Sequence, residues 1–330
     1  MSERTYRAVV CAALGPPERL QLTRLPRSPL TAGHVRVAIM AAGVNFPDVL
    51  MIQGLYQHRP APPFVPGIEA AGIVSEVAAG TTAVAPGQRV IVRLRTGGYA
   101  EEAVVPADAI HPLPAGFSFE QGATFLAAHV TAYHALHTRA GLAAGQSLLV
   151  LGAAGGVGLA AVQIGKALGA RVLAAASSEA KLDAACRHGA DARVNYASED
   201  VAEAVKRLTA GAGVQVLLDP VGLAGVAALR CLAWNGKLLS AGFAGGAIPT
   251  YAANRLLLRG ASVLGVRAGE AGRRDPALRR RELAAVYALA DEGKVQPFVS
   301  ARFPLAAFAE AMQALLRRMA IGRLALAVAA

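Results

Sequence analysis

Three short stretches hold residues whose types and spacing suit chemistry. The first is Gly152-Ala153-Ala154-Gly155-Gly156-Val157-Gly158, set between the apolar run SLLVL and the amphipathic run GLAAVQIGKALG, with a second apolar run, RVLAAAS, behind. A glycine turn leading from a strand into a helix offers free N–H groups and the positive end of the helix dipole to phosphates. Gly155 would let the backbone approach a pyrophosphate, and Gly158 would let helix and strand pack closely. The fit to GxGxxG has one departure, because Ala153 stands at the first glycine position. The second stretch is Ala175-Ala176-Ser177-Ser178-Glu179-Ala180-Lys181, the end of that second apolar run. An acidic residue at this place holds ribose hydroxyls. Hydroxyls with a lysine suit a 2′-phosphate instead, so the expected cofactor is NADPH, with Arg193 and Tyr196 near the end of the next strand. Glu179 reads as the negative charge of a helix first turn.

The third stretch runs from Asn45-Phe46-Pro47-Asp48 through Gly54-Leu55-Tyr56 to FVPGIEAAGIV, residues 64–74. Without a metal, an acceptor must be polarised by hydrogen-bond donors, and Asn45, Asp48 and Tyr56 are the candidates. Asp48 also suits a cap on the following helical turn. Tyr56 is a packed aromatic or a proton donor; a phenol near pKa ~10 donates slowly unless perturbed. Glu69 lies alone in an apolar stretch with no histidine beside it. It could be a catalytic acid, half of a metal site or a scaffold carboxylate hydrogen-bonded in a turn.

Metal chemistry finds few ligands. Cys11, Cys186 and Cys231 are widely spaced, with no CxxC pair and no disulfide framework. His129, His134 and His137 share one predicted helix, but nothing nearby in sequence completes a site, and they read as solvated or satisfied side chains. The net charge of +11 rests on dispersed arginines, with only five lysines and few aromatics, so no nucleic-acid partner is expected. The run GRRDPALRRRELAAV reads as a solvated helical face, or as a holder for the phosphates of a thioester coenzyme.

These residues need elements to position them. At 330 residues the chain fits about two domains. VRVAIMAAGV, AGIVSEVA, QRVIVRL and YAEEAVVP are short β-rich runs cut by Pro and Gly, giving a mostly-β domain. From about residue 121 the character changes. FEQGATFLAAHVTAYHALHTRAGL has helical period, after which strands and helices alternate as in a doubly wound parallel sheet. VAALRCLAW is predicted helical, SVLGV is the last strand of that series, and helices and a strand-like run fill the rest. No apolar run reaches the ~20 residues of a membrane span, and the N-terminal patch is short for a signal peptide. The expectation is a soluble cytoplasmic protein.

GVNFPDVLMIQGLY, PFVPGIEAAGIV, VTAYHAL, GAAGGVG, SSEAKL, GFAGG and SVLGV, in this order over nearly the whole chain, resemble the NADPH:quinone oxidoreductases, the zeta-crystallin-like, zinc-independent branch of the medium-chain dehydrogenase/reductases. The resemblance implies an α/β chain with a GroES-like, mostly-β catalytic domain over 1–121 and a Rossmann NADPH-binding domain over 122–266. Residues 267–330 would return to the catalytic domain, and the nicotinamide would lie in the cleft between domains. In zinc-dependent relatives a histidine precedes the glutamate, where this chain has Ile68, and a cysteine ligand lies upstream, where it has Ala42, Gly43 and Asn45. No metal is therefore expected, and Glu69 is taken as a scaffold carboxylate hydrogen-bonded in the turn rather than a catalytic acid. The resemblance also implies residue roles. Asn45 would meet the nicotinamide ribose, Tyr56 the cofactor or substrate, and Thr131 the carboxamide. Gly155, Gly156, Val157 and Gly158 would hold the pyrophosphate, and Ser177, Lys181 and Tyr196 the 2′-phosphate. Gly242, Phe243 and Val266 would close over the nicotinamide, with Arg323, and less firmly Arg267, near the cofactor. The implied activity is hydride transfer to quinones or similar electrophiles, in a homodimer joined along SVLGV. Enoyl-thioester reduction and non-catalytic NADPH binding are the alternatives.

Overall fold

The computed structural model of the chain describes residues 4–328 apart from residue 224. The first elements are β1 (Thr5–Val10), β2 (Gln21–Pro26), β3 (His34–Val44), α1 (Phe46–Ile52), β4 (Glu69–Val77), β5 (Arg89–Arg93), β6 (Glu102–Pro106), β7 (Ile110–Pro112) and α2 (Phe119–Gly122). Then come α3 (Leu126–Tyr133), β8 (Ser147–Leu151), α4 (Gly156–Ala167), β9 (Arg171–Ala176), α5 (Glu179–Arg187), β10 (Ala192–Asn195), α6 (Val201–Leu208), β11 (Val214–Asp219), α7 (Gly225–Leu229) and β12 (Leu232–Ser240). The chain ends with α8 (Ala253–Leu257), β13 (Ser262–Gly265), α9 (Ala268–Arg274), α10 (Pro276–Asp291), β14 (Val299–Pro304), α11 (Phe308–Leu316) and β15 (Arg323–Ala327).

Two compact units form, one from residues up to Leu126 together with those from Pro297 on, the other from Ala127–Gln296. The expected boundaries at 121 and 267 thus shift to 126 and 296. At the first, Phe119 and Ala123 pack on Ala41 and Ala71, which keeps α2 with the β unit. At the second, Glu282 of α10 is buried and accepts from Thr138 Oγ1 at 2.6 Å while lying 2.7 Å from His134 Nδ1, which ties α10 to the second unit. Only from Pro297 does the chain rejoin the first.

The first unit holds a seven-stranded sheet whose main path runs β14-β15-β3-β4-β5-β7, with β6 also on β3, beside a β1-β2 pair. Its core is aliphatic, with Ile39, Val44, Ile52, Leu324 and Met312 among the buried members. The closing run GRLALAV becomes β15, an interior strand between β14 and β3. The second unit holds a six-stranded sheet in the order β10-β9-β8-β11-β12-β13, with every described pairing parallel. The chain runs outward from β8 to β10 and then returns to the other side of β8 as β11. The order of strand addition therefore reverses between β8 and β11, the place where open α/β sheets bind ligands beyond their carboxyl ends.

Two helical expectations change. The run from Phe119 is not one helix. Ser118 caps α2 by accepting from Gln121 N–H, α3 restarts at Leu126, and a wider π-helical stretch covers His134–Arg139, where Ala140 N–H donates to Ala135 O. VAALRCLAW also divides, since α7 stops at Leu229 and Leu232-Ala233-Trp234 begin β12. A short apolar run carries no period that tells a buried strand from a helix, and pairing of Leu232 with Val214 of β11 decides it. No helix among the described residues is long and apolar enough to cross a membrane.

Candidate active site

In the second unit, the glycine turn leaves β8 and starts α4 at Gly156, with Gly155 in extended conformation as its cap. The left-handed position is Gly152, with φ of +59°. Ala153 is therefore free to carry a side chain: it is fully buried, and its N–H donates to Ala175 O at 3.0 Å. That is why the missing first glycine does no harm. A Cβ on Gly158 would fall against the Gly152 carbonyl and within 2.8 Å of the Ala153 backbone, whereas one on Gly155 would meet only Gly152 O, at 3.3 Å. Gly158 thus serves packing, and Gly155 leaves a half-exposed surface where a Cβ would otherwise stand. The N–H groups of Gly156, Val157 and Gly158 lie in the first turn, which has no intrahelical acceptors for them. These residues fit the pyrophosphate of a dinucleotide.

The neighbouring loops open at the same end of the sheet. Leu151 pairs with Ala175, so the ends of β8 and β9 are level. Just beyond β9, Lys181 Nζ lies 3.2 Å from Ser177 Oγ, one turn into α5. Glu179 turns aside, accepting from Asn195 Nδ2 at 2.8 Å and lying 3.6 Å from Arg193. Arg193 itself bonds Asp183 at 2.9 Å. Tyr196 follows β10, and its N–H donates to Ala176 O. Buried Asp219, at the end of β11, accepts from the N–H groups of Val221 and Gly222, both at 2.8 Å. Gly242 and Phe243 follow β12, and Val266 N–H donates to Ser240 O just past β13. The glycine turn, Ser177, Lys181, Tyr196, Gly242, Phe243 and Val266 thus share the carboxyl ends of one parallel sheet. Thr131 lies on α3, with Oγ1 bonded back to Ala127 O at 2.7 Å.

The histidines separate. His129 Nε2 lies 3.2 Å from Gln163 Oε1 and His134 pairs with Glu282, both buried, while His137 stacks 4.9 Å from the Tyr133 ring. Arg267, Arg273 and Arg274 gather on Glu270, whose carboxyl those guanidiniums hold down at about 2. Arg280 and Arg281 are exposed on α10.

In the first unit, β3 runs straight into Asn45, the cap of α1. Leu324 pairs with Val44 and Ala42 with Ala70, so Arg323 of β15 and Glu69 of β4 flank the end of β3 on either side. Asn45 Oδ1 accepts from Arg323 Nη2 at 2.7 Å, its Nδ2 donates to Gly43 O at 3.2 Å, and Glu69 Oε2 lies 3.7 Å from Arg323 Nη2. Asp48 Oδ2 accepts from Asn45 N–H at 3.0 Å and from Tyr99 Oη at 3.1 Å. Asp48 thus caps the helix, reaching back from its third residue. Glu69, expected as a scaffold carboxylate hydrogen-bonded in a turn, instead begins a strand and lies against an arginine from the far end of the chain. Arg323, expected at the cofactor, directs its guanidinium onto Asn45 and Glu69. Burial lowers its pKa, against the nearby Glu69 and Asp48 charges. Tyr56 lies half-exposed in the loop after α1, its carbonyl accepting from Arg59 Nε at 3.2 Å.

Tyr99, Asp219 and Glu282 were missed in the sequence. Tyr99 lies 51 residues from Asp48, a separation that no local spacing rule spans; only its place after Gly97-Gly98 hinted at a constrained turn.

Burial pushes the Asp48 carboxyl up to about 7, against the Asn45 and Tyr99 hydrogen bonds and the Arg323 charge. An unfolded aspartate titrates near ~3.9. Between those values the native state holds the extra proton. The stability from Asp48 is thus fully present below pH about 4 and lost as pH rises through about 7, a fall on the order of 4 kcal/mol. Carboxylates held low by arginine or lysine, such as Glu76 and Asp191, titrate below this window. In thermal melts from pH 5 to 8, wild type should lose stability with rising pH, and Asp48→Asn should show a markedly flatter profile.

Two family profiles match the chain: an alcohol dehydrogenase GroES-like domain over residues 31–115 and a zinc-binding dehydrogenase over 156–282. A quinone oxidoreductase-like protein 2 homolog from Nematostella vectensis is 38% identical over 97% of this chain and 88% of the relative. The chain belongs to the quinone oxidoreductase family of the medium-chain dehydrogenase/reductases. Among solved family members, the quinone oxidoreductase from Thermus thermophilus, determined also in complex with NADPH, is 35% identical with a TM-score of 0.85 over 98% of this chain and 100% of that one. An NAD-dependent alcohol dehydrogenase is 32% identical with a TM-score of 0.86, over 98% and 100%. The CurK enoyl reductase is 25% identical with a TM-score of 0.87, over 98% and 99%. The two units accordingly correspond to the GroES-like and Rossmann domains of an oxidoreductase family.

Proposed function

We propose that this protein is an NADPH-dependent oxidoreductase that reduces quinones or related activated carbonyl and alkene acceptors without a metal ion. The observation that carries the cofactor is the Ser177–Lys181 pair beyond β9, with Glu179 drawn off to Asn195. A cation and hydroxyl there recognise a 2′-phosphate, while an acid would recognise a free ribose hydroxyl. When bound, reduced nicotinamide would supply the hydride. Gly155, Gly156, Val157 and Gly158 hold the pyrophosphate, with Tyr196 beside the 2′-phosphate and Thr131, Gly242, Phe243 and Val266 at the nicotinamide end. Asn45 orients the reacting ring by hydrogen bonding, Asp48 holds the Asn45 backbone, and Tyr56 presents a hydroxyl to cofactor or acceptor. The metal-free reading is supported by Ile68 before Glu69 and by a donor set in which no three His, Cys, Asp or Glu of the described residues group as metal ligands. A homodimer is part of the proposal: β13 is an edge strand, and exposed Leu257 and Leu258 precede it. A cytoplasmic location is part of it too.

The test is purified protein with NADPH and 1,4-benzoquinone or 9,10-phenanthrenequinone, followed at the nicotinamide absorbance band. Turnover that is unaffected by chelators is expected, with NADPH preferred over NADH. Absence of turnover with every quinone would remove the quinone reading.

A second reading, reduction of 2-enoyl thioesters, is favoured by the half-exposed Tyr56 and the exposed arginines of α10. Protonation of the carbon next to the carbonyl would then fall to the tyrosine. Tyr56→Phe should lower crotonyl-CoA turnover by about 10²-fold or more if Tyr56 is the acid, and should leave quinone turnover within a few-fold.

A further inference from the structure

We propose that Arg323 and Glu69 are positioning residues that set the orientation of the Asn45 side-chain amide, an inference that rests on the reading of Asn45 as the group orienting the reacting ring. An amide presents an oxygen on one side and an NH₂ on the other, and its partners determine which faces which way. Here the partners leave one choice. Arg323 Nη2, which can only donate, lies 2.7 Å from Oδ1, and the Gly43 carbonyl, which can only accept, lies 3.2 Å from Nδ2. Turning the amide over would set donor against donor and acceptor against acceptor. With Oδ1 on the arginine and one N–H on Gly43, the second N–H of Nδ2 is the donor that remains for a ligand.

The arginine in turn needs its carboxylate. Arg323 is 9% exposed, Asn45 3% and Glu69 0%. A guanidinium at such depth costs too much alone and requires a countercharge. Glu69, 3.7 Å away on the opposite flank of β3, is that countercharge. Because β4 and β15 both belong to the sheet that contains β3, the pair is built into the same rigid frame as the residue it orients. Both contacts come from one nitrogen, Nη2, and the rigid plane of a guanidinium fixes the direction of that donor, whereas the ammonium of a lysine rotates freely. This also gives the family's glutamate a role without a metal.

Arg323→Lys keeps the positive charge opposite Glu69 and removes the directionally fixed Nη2 donor. We expect its kcat with NADPH and 9,10-phenanthrenequinone to fall roughly 10- to 100-fold, as for loss of a preorganised donor, with the Kd for NADPH and the KM for quinone changed less than about threefold. Asn45→Ala should fall by a similar factor, and the double variant no further, since both changes remove one device. Glu69→Gln, which keeps the shape, should show the same lack of additivity with Asn45→Ala, and it serves as the probe if Arg323→Lys does not fold. A readout independent of turnover is the Asn45 side-chain amide in ¹H–¹⁵N spectra of the cofactor-free protein, assigned by its loss in Asn45→Ala. Its two protons should be widely separated in wild type and should collapse toward free-asparagine shifts in Arg323→Lys or Glu69→Gln. Losses in kcat that multiply, a wild-type kcat in both Arg323→Lys and Glu69→Gln, or an unmoved amide pair would overturn the positioning role and leave that of Asn45 standing. A wild-type kcat in Asn45→Ala would overturn the reading of Asn45, and this inference with it.

Discussion

Gly155→Ala should abolish tight NADPH binding at a small cost to the fold, and Gly158→Ala should damage both. A methyl on Gly155 meets only Gly152 O, at 3.3 Å, whereas one on Gly158 falls against the Gly152 carbonyl and the Ala153 backbone. Backbone cannot move aside as the end of a side chain can, so the second methyl forces α4 away from β8. Overpacking of this kind costs typically ~1–3 kcal/mol, visible as a lower Tm. Gly155→Ala instead places its methyl on the half-exposed side, where the pyrophosphate would approach the first-turn N–H groups. A loss of about 100-fold or more in NADPH affinity is expected, equal to some ~2.7 kcal/mol. Fluorescence titration with NADPH beside thermal melts separates the two variants. Wild-type affinity in Gly155→Ala would refute the assignment of the glycine turn to the pyrophosphate.

Lys181→Ala should raise the Kd for NADPH by roughly 10- to 100-fold and leave that for NADH within about twofold. A charge-assisted hydrogen bond is worth ~1.5–3 kcal/mol, which sets this range, and the 2′-phosphate is the only difference between the two dinucleotides. Lys181 bridges to Ser177 one turn away, so Ser177→Ala should shift preference in the same direction and less strongly. Raising the salt concentration should weaken NADPH binding more than NADH binding. Equal losses for both cofactors would mean that Lys181 holds the loop and not the phosphate, and the NADPH reading would fail with it.

Some of this protein was plain in the sequence because the physics that shapes it is local. The βαβ unit around the glycine turn is written in adjacent residues: SLLVL as a buried strand, Gly155 to Gly158 as the turn, GLAAVQIGKALG as the covering helix. The Ser177–Lys181 pair is one helical turn apart, and the capping role of Asp48 follows from its place three residues after Asn45. Where local patterns are ambiguous the reading failed. Leu232-Ala233-Trp234 continued a helical pattern, yet hydrogen bonding of β12 between β11 and β13 makes them strand. The run from Phe119 kept helical composition through a break at Ala123–Phe125 that a period alone does not reveal.

What the sequence by itself determined was the family and its pairing of a mostly-β domain with a doubly wound one, since these are written in patterns among neighbours along the chain. The tertiary structure alone decided the environment of Glu69. A lone glutamate in an apolar stretch acquires meaning only when β15 inserts beside β3 and brings Arg323 across to Asn45, 278 residues away in the chain. A buried charge needs a partner, and nothing in the residues adjacent to Glu69 says that the partner comes from the last strand of the protein.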